Sequence, residues 1–119
     1  MVPQERRRLP RVRCVLPVRL YTPSEPRVIA TLCKDLGVGG LRVLSPTPKA
    51  VSSLLSLEID LGMAEEPLNL RAQVAWFQML PRSDQFYLGL AFQSLSALHS
   101  KRLSSYLEKI SLHPEPARL

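Results

Sequence analysis

Apolar and polar residues alternate along most of this chain with a period of two, which is typical of β-strands with one buried face. The pattern runs from residue 15 to residue 92 and is clearest at residues 55–61. Turn residues divide it into six predicted strands: Val15–Tyr21, Val28–Lys34, Leu41–Leu44, Leu55–Leu61, Leu68–Trp76 and Phe86–Phe92. Short strands at this spacing favour a small closed barrel, because closure leaves no exposed strand edge.

The period changes after Ser94, where the sequence becomes helical. Apolar residues then fall at i, i+3, i+4 and i+7, the stripe of an amphipathic helix: Leu103, Tyr106, Leu107 and Ile110. Ser94 or Ser96 can cap the start of this helix, and Pro114 and Pro116 end it. We therefore predict a mainly β protein: a six-stranded antiparallel β-barrel with a C-terminal α-helix that covers one open end or one flank.

The 119-residue length and 45% hydrophobic content predict one folded domain. We divide the chain into an arginine-rich N-terminal arm (residues 1–13), a barrel with its helix (residues 14–112) and a disordered tail (residues 113–119). No apolar run has the length of a membrane span, and the N-terminus lacks the apolar stretch of a signal peptide. These observations predict a cytoplasmic protein without membrane insertion.

Residues suited to catalysis or metal binding are sparse. The two histidines, His99 and His113, have no acidic or cysteine partners at metal-ligand spacing. No nucleophile-elbow, phosphate-loop or HExxH motif is present. We predict no enzymatic activity, no metal and no cofactor. Cys14 and Cys33 lack CxxC spacing, and we expect them to be reduced and partly buried.

Positive charge is concentrated at the N-terminus. Six arginines and one glutamate in residues 1–19 give a local charge of +5, out of a net +6 for the chain. Arg7 and Arg11 can present two guanidinium groups to one ligand, and such groups bind phosphate, stack on purines and pair with guanine. Arg6 and Arg8 can add contacts. The alternative is a solvated basic tail.

A glycine-rich segment follows the second predicted strand. It begins at Asp35, whose carboxylate can accept hydrogen bonds from N1–H and the N2 amino group of guanine. Gly37, Gly39 and Gly40 allow the backbone to approach a ligand closely. The alternative is an ordinary turn between two strands, with a glycine-rich bulge.

In combination, these two segments resemble a PilZ domain. That family carries an RxxxR motif followed, after about twenty to thirty residues, by (D/N)xSxxG. Arg7 and Arg11 match the first motif, and Asp35 and Gly40 match the ends of the second. Residues 74–76 and 88–92 also resemble the closing strands of the family, so the resemblance extends over about residues 5–110.

The resemblance implies that the chain binds the bacterial second messenger cyclic di-GMP and regulates a protein partner. PilZ partners act in motility, chemosensory signalling or surface-polysaccharide control. The arginines would clamp phosphates and guanine edges, Asp35 would bind a guanine Watson–Crick edge, and Gly40 would leave room for ligand and strand. The implied ligand-binding residues are Arg6, Arg7, Arg8, Arg11, Asp35, Gly37 and Gly40.

One position departs from the family motif, because Gly37 stands where PilZ domains have serine. The lost hydroxyl implies weaker cyclic di-GMP binding, or a PilZ-like adaptor that binds no ligand and works through protein contacts alone. A third hypothesis is a nucleic-acid-binding barrel, but the aromatic residues, Trp76 included, are mostly predicted on core-facing positions. We expect no nucleic-acid partner and a monomer or weak dimer.

Overall fold

Six antiparallel strands close into a barrel and one helix follows in the computed structural model, which describes residues 12–62 and 66–112. The elements are β1 (Val12–Tyr21), β2 (Val28–Leu36), β3 (Gly40–Ser45), β4 (Leu54–Ile59), β5 (Leu68–Met79), β6 (Phe86–Gln93) and α1 (Ala97–Leu112). Around the barrel the order is β1-β2-β3-β6-β5-β4, and pairing of β1 with β4 closes it. The predicted fold class is confirmed.

Parts of the predicted domain organisation lie outside the described residues. Of the arm (residues 1–13), only Val12 and Arg13 are described, and both belong to β1. The tail (residues 113–119) is wholly outside. The three boundaries therefore stay predictions. Within the described ranges, no helix combines the length and apolar character that crossing a membrane requires.

The alternating pattern correctly identifies most of the buried face. In β4, Leu55, Leu57 and Ile59 point inward, and so do the aliphatic residues of the first part of β5, as the period of two requires. The largest fully buried side chains form the core: Leu20, Leu36, Leu41, Leu57, Ile59, Leu68, Leu88, Leu103, Val18, Val43 and Val74, together with Cys33. A one-residue slip of any strand would turn its apolar side chains outward, so burial of this set specifies the register.

Trp76 is an exception, and its predicted core position is wrong. Val74 pairs with Leu90, but Trp76 pairs with Gly89, so β5 contains one extra residue at this point. Such a β-bulge shifts the alternation of β5 by one residue relative to β6. Trp76 therefore lies on the outer face, with 37% of its surface exposed.

The helix α1 is anchored to the barrel at its start, along its apolar stripe and through one arginine. Ser96 rather than Ser94 caps it: the backbone N–H of His99 donates to Ser96 Oγ over 3.0 Å. Three residues of its stripe join the barrel core: Leu103, Tyr106 and Leu107. Arg102 Nη2 donates to the backbone carbonyl of Glu66, before β5, over 2.7 Å. The helix thus completes the apolar core rather than forming a separate layer.

Candidate functional site

Asp35 lies within β2 and not in the following turn where the sequence places it. The predicted strand ends at Lys34, but β2 continues to Leu36. An extra residue between Cys33 and Asp35 disrupts the pairing with β3, so Cys33 and Leu36 are buried while Asp35 faces outward, opposite Arg42. Strand pairing therefore holds the backbone of Asp35 on both sides.

Arg42 of β3 forms an ion pair with Asp35, with 3.1 Å between Nε and Oδ2. The two side chains are 28% and 16% exposed, so water screens the pair only in part. On the other side of Asp35, Arg13 of β1 is its register partner. The carboxylate thus lies between two strands that each present an arginine.

The guanidinium of Arg42 also stacks on an aromatic ring. Its central carbon lies 4.5 Å from the ring centroid of Tyr87 on β6. A guanidinium at this distance from a phenol ring makes a cation–π contact, worth about 0.5–1 kcal/mol at a partly exposed site. Tyr87 and Asp35 therefore hold Arg42 from two sides, which reduces the freedom of the guanidinium before any ligand binds.

Trp76 completes the surface on β5, where its indole packs closely against Gly89. A Cβ on Gly89 would come within 2.7 Å of the indole Cζ2 and closer still to the adjoining ring atoms. Only glycine at this position lets the indole approach the strand. The exposed ring face is one on which a base or a guanidinium can stack.

These residues form a continuous line across five strands, which we call the Asp35 row. Register pairs join each member to the next: Arg13 with Asp35, Asp35 with Arg42, Arg42 with Gly89, and Gly89 with Trp76. The row offers an anionic acceptor, two guanidinium groups and an aromatic face on one side of the sheet. Such a combination suits a ligand that carries phosphates and a purine.

The glycine-rich turn lies beside the Asp35 row and has a tight backbone. Gly37 N–H donates to the Gly40 carbonyl over 2.9 Å, and Phe92 N–H donates to the Gly39 carbonyl over 2.9 Å. Gly40 packs against β6, where an added Cβ would collide with the Leu90 carbonyl oxygen. Gly40 is therefore required for close approach of two strands, and its backbone lies outside the left-handed region.

The family model for the PilZ domain matches residues 5–109, which is most of the chain. This chain belongs to the PilZ domain family. No curated protein sequence matches it significantly. The suspected family is thus confirmed, and the Asp35 row lies on the outer face of a PilZ barrel.

Solved structures with the same fold include several PilZ proteins. The inhibitor of motility MotI/DgrA from Bacillus subtilis is 23% identical with a TM-score of 0.78, and the match covers 97% of this chain and 58% of that protein. YcgR from Escherichia coli, in complex with c-di-GMP, is 16% identical with a TM-score of 0.75 and 90% and 46% coverage. This chain thus spans about half the length of these two proteins.

A structure of the YcgR PilZ domain alone, with c-di-GMP, matches over a similar share of this chain. It is 15% identical with a TM-score of 0.71, and the match covers 90% of this chain and 92% of that domain. At these identities the comparisons establish the PilZ fold.

The residues predicted for the site divide into two groups. Asp35, Gly37 and Gly40 are described and lie together at the β2–β3 connection. Four arginines lie outside the described residues: Arg6, Arg7, Arg8 and Arg11. Sequence reasoning missed Arg42, although its place between the buried Leu41 and Val43 marks it as an outward residue. The missing information was the register that brings Arg42 opposite Asp35.

Both cysteines lie near Asp35, and both are free thiols. The Sγ atoms of Cys14 and Cys33 are 3.7 Å apart, and Cys33 Sγ donates to the Asp35 carbonyl oxygen over 3.1 Å. The hydrogen bond between the two thiols lowers the pKa of the Cys14 thiol, against the opposing effects of burial and the Asp35 charge. The same hydrogen bond, reinforced by burial, raises the pKa of Cys33.

A groove of about 440 Å³ lies elsewhere on the barrel, between β4, β5 and the start of α1. It is lined by residues such as Ser56, Arg71 and His99, and by none of the predicted ligand residues that the structure describes. Across residues 12–62 and 66–112, no three histidine, cysteine, aspartate or glutamate side chains come together as a metal site.

Proposed function

We propose that this protein is a cyclic di-GMP effector that binds the dinucleotide on the Asp35 row and transmits its presence to a protein partner in the cytoplasm. The observation that carries the proposal is the position of Asp35 on a PilZ barrel, outward-facing and paired with Arg42 at 3.1 Å. The proposed role is binding and regulation, without catalysis, metal or cofactor.

Asp35 suits the Watson–Crick edge of guanine. Each carboxylate oxygen has two lone pairs, so an oxygen that contacts Arg42 can accept a further hydrogen bond from a base. Guanine presents N1–H and its N2 amino group side by side, whereas adenine presents no such donor pair. Arg42, held by Tyr87, keeps the carboxylate in place and therefore lowers the ordering cost of binding.

The N-terminal arginines would supply the phosphate contacts. Arg11 precedes Val12 directly in the chain, and Val12 pairs with Leu36 beside Asp35. In this proposal Arg7 and Arg11 bind the phosphates and guanine edges, with Arg6 or Arg8 assisting. Guanidinium groups bind phosphate bidentately, which provides geometric specificity as well as charge.

Relatives of the same fold support an effector role. The YcgR PilZ domain has been solved with c-di-GMP, and MotI/DgrA is described as an inhibitor of motility. By this likeness, we propose that the regulated process is motility, chemosensory signalling or surface-polysaccharide production. A monomer or weak dimer without a nucleic-acid partner fits this role.

Isothermal titration of the full chain with cyclic di-GMP tests the proposal directly. We expect saturable binding in the micromolar range, and no binding of cyclic di-AMP, because adenine lacks the donor pair that Asp35 accepts. The absence of heat at high micromolar cyclic di-GMP would contradict the binding proposal and leave the fold assignment intact.

Restoring the family serine is expected to strengthen binding. A Gly37→Ser variant regains a hydroxyl at the motif position, and one additional hydrogen bond corresponds to about a tenfold lower Kd. The matched control is Gly39→Ser, which adds the same side chain where an added Cβ meets nothing within 4 Å. Equal Kd values for both variants would show that the position of the hydroxyl is irrelevant.

A ligand-free PilZ adaptor is the second candidate, and Gly37 is the observation that favours it. Without the motif hydroxyl, the Asp35 row would serve as a contact surface for a protein partner. In cells, this candidate predicts that Arg7→Ala and Asp35→Ala variants retain function while folded. Loss of function in both would support the cyclic di-GMP effector instead.

A further inference from the structure

We propose that Cys14 and Cys33 form a peroxide-responsive dithiol, whose oxidation to a disulfide changes the backbone that carries Asp35. The oxidant is hydrogen peroxide or an organic hydroperoxide. The effect on cyclic di-GMP affinity rests on the proposed function above, whereas formation of the disulfide and its effect on the backbone do not.

The two sulfurs are close enough to form a bond after a small movement. They are 3.7 Å apart, and a disulfide requires about 2.05 Å, so the sulfurs must approach by about 1.7 Å. Cys14 lies in an irregular part of β1, where the register with β2 shifts between Arg13 and Leu16. An irregular strand can adjust its backbone locally more easily than a regularly paired one. The two sulfurs can therefore approach each other without unpairing β1 from β2.

The two thiols differ in burial and in pKa, so one of them reacts with peroxide before the other. Cys14 is only half-buried and its pKa is lowered, so it is the more accessible and the more easily deprotonated of the two thiols towards peroxide. Cys33 is fully buried and its pKa is raised, so it stays protonated and unreactive until its neighbour is oxidised. Cys14 is the attacking thiol and Cys33 the resolving thiol.

The chemistry balances with one peroxide. The Cys14 thiolate attacks one peroxide oxygen, the O–O bond breaks, and the products are Cys14 sulfenic acid and hydroxide, which takes up a proton to give water. The Cys33 sulfur then attacks the Cys14 sulfur, the S–O bond breaks, and hydroxide leaves with the Cys33 proton as a second water. Two thiols lose two electrons, and hydrogen peroxide is reduced to two waters, or an organic hydroperoxide to one alcohol and one water.

Disulfide formation affects Asp35 through a hydrogen bond that Cys33 makes to its backbone. The Cys33 thiol donates to the Asp35 carbonyl oxygen over 3.1 Å, and a disulfide has no proton to donate. The bond is lost and Cys33 is drawn towards β1, whose Arg13 pairs with Asp35. The backbone of Asp35 therefore moves, and its carboxylate changes position relative to Arg42. We expect cyclic di-GMP to bind the oxidised chain about tenfold more weakly than the reduced chain.

The test treats the full chain with a small excess of hydrogen peroxide and measures intact mass without reductant. We expect a loss of about 2 Da, reversed by dithiothreitol, because the chain holds only two cysteines. Cys14→Ser and Cys33→Ser variants should show no such loss. Oxidation that stops at sulfenic or sulfinic acid, or that links two chains, would overturn the proposal.

Two further measurements separate this inference from the proposed function. Amide NMR spectra of the two forms should differ at residues 33–36 and at Arg42, and remain unchanged in α1. If a disulfide forms but these signals do not move, the coupling to Asp35 is wrong. Titration with cyclic di-GMP then tests the ligand: binding to neither form counts against the proposed function alone, whereas equal binding to both forms overturns the expected loss of affinity.

Discussion

A Gly40→Ala substitution is expected to lower the free energy of unfolding by about 3 kcal/mol, because the added Cβ would overlap backbone atoms of β6. The added atom would collide with the Leu90 carbonyl oxygen and would also lie 3.1 Å from the Leu90 carbonyl carbon and 3.3 Å from the Ala91 Cα. All three are backbone atoms of β6, and they cannot rotate away as a side chain would. Relief requires β3 and β6 to separate at this point.

The matched control is Gly39→Ala, one residue earlier. An added Cβ there meets nothing within 4 Å, and the backbone is outside the left-handed region. Its expected effect on stability is close to zero, with a small gain from the less flexible unfolded chain. Urea unfolding followed by circular dichroism and by fluorescence of Trp76, the single tryptophan, measures both variants. Equal midpoints would show that β3 and β6 have room for a side chain.

Replacing Asp35 with asparagine, the other residue that the family motif allows, is expected to weaken the proposed cyclic di-GMP binding about tenfold. The side chain keeps its shape, but loses the charge that strengthens hydrogen bonds to guanine, and its amide NH₂ can face the donors of the base. The ion pair with Arg42 is also lost, so the guanidinium is held by Tyr87 alone. Titration of the variant against the unmodified chain provides the ratio of Kd values.

The control for Asp35→Asn is Glu58→Gln, the same change of carboxylate to amide at a second ion pair. Glu58 lies on β4, outside the Asp35 row, 3.9 Å from an Arg19 side chain that is 62% exposed. We expect unchanged affinity and nearly unchanged stability, since exposed ion pairs contribute little. If Glu58→Gln weakens binding as much as Asp35→Asn, the effect is one of overall charge and not of guanine recognition.

The barrel is predictable from the sequence because one simple pattern encodes most of it. In β4, the buried Leu55, Leu57 and Ile59 are the same residues that the alternation assigns to the core. The helix is also predictable, from the change of period after Ser94 and from a serine that can cap its first turn. These are local properties, and each can be recognised without knowing which strands are neighbours.

The outer surface is far less predictable, because it depends on pairing between distant parts of the chain. The sequence predicts Asp35 after the end of a strand and does not single out its partner Arg42, since only the β2–β3 register brings them together. It predicts Trp76 in the core because the alternation continues through Ala75 without any visible interruption. Bulges of this kind carry no obvious signal in a single sequence.

The register shifts in β1, β2 and β5 bear on how the sequence of this barrel can change in evolution. Each shift lies between one outer-face residue and one core residue: Arg13 and Leu16, Asp35 and Cys33, and Trp76 and Val74. Stability and recognition are therefore specified by largely different residues. Single-residue insertions and deletions at these three points would change which side chains reach the outer surface of one strand, so the same barrel could gain or lose a binding surface.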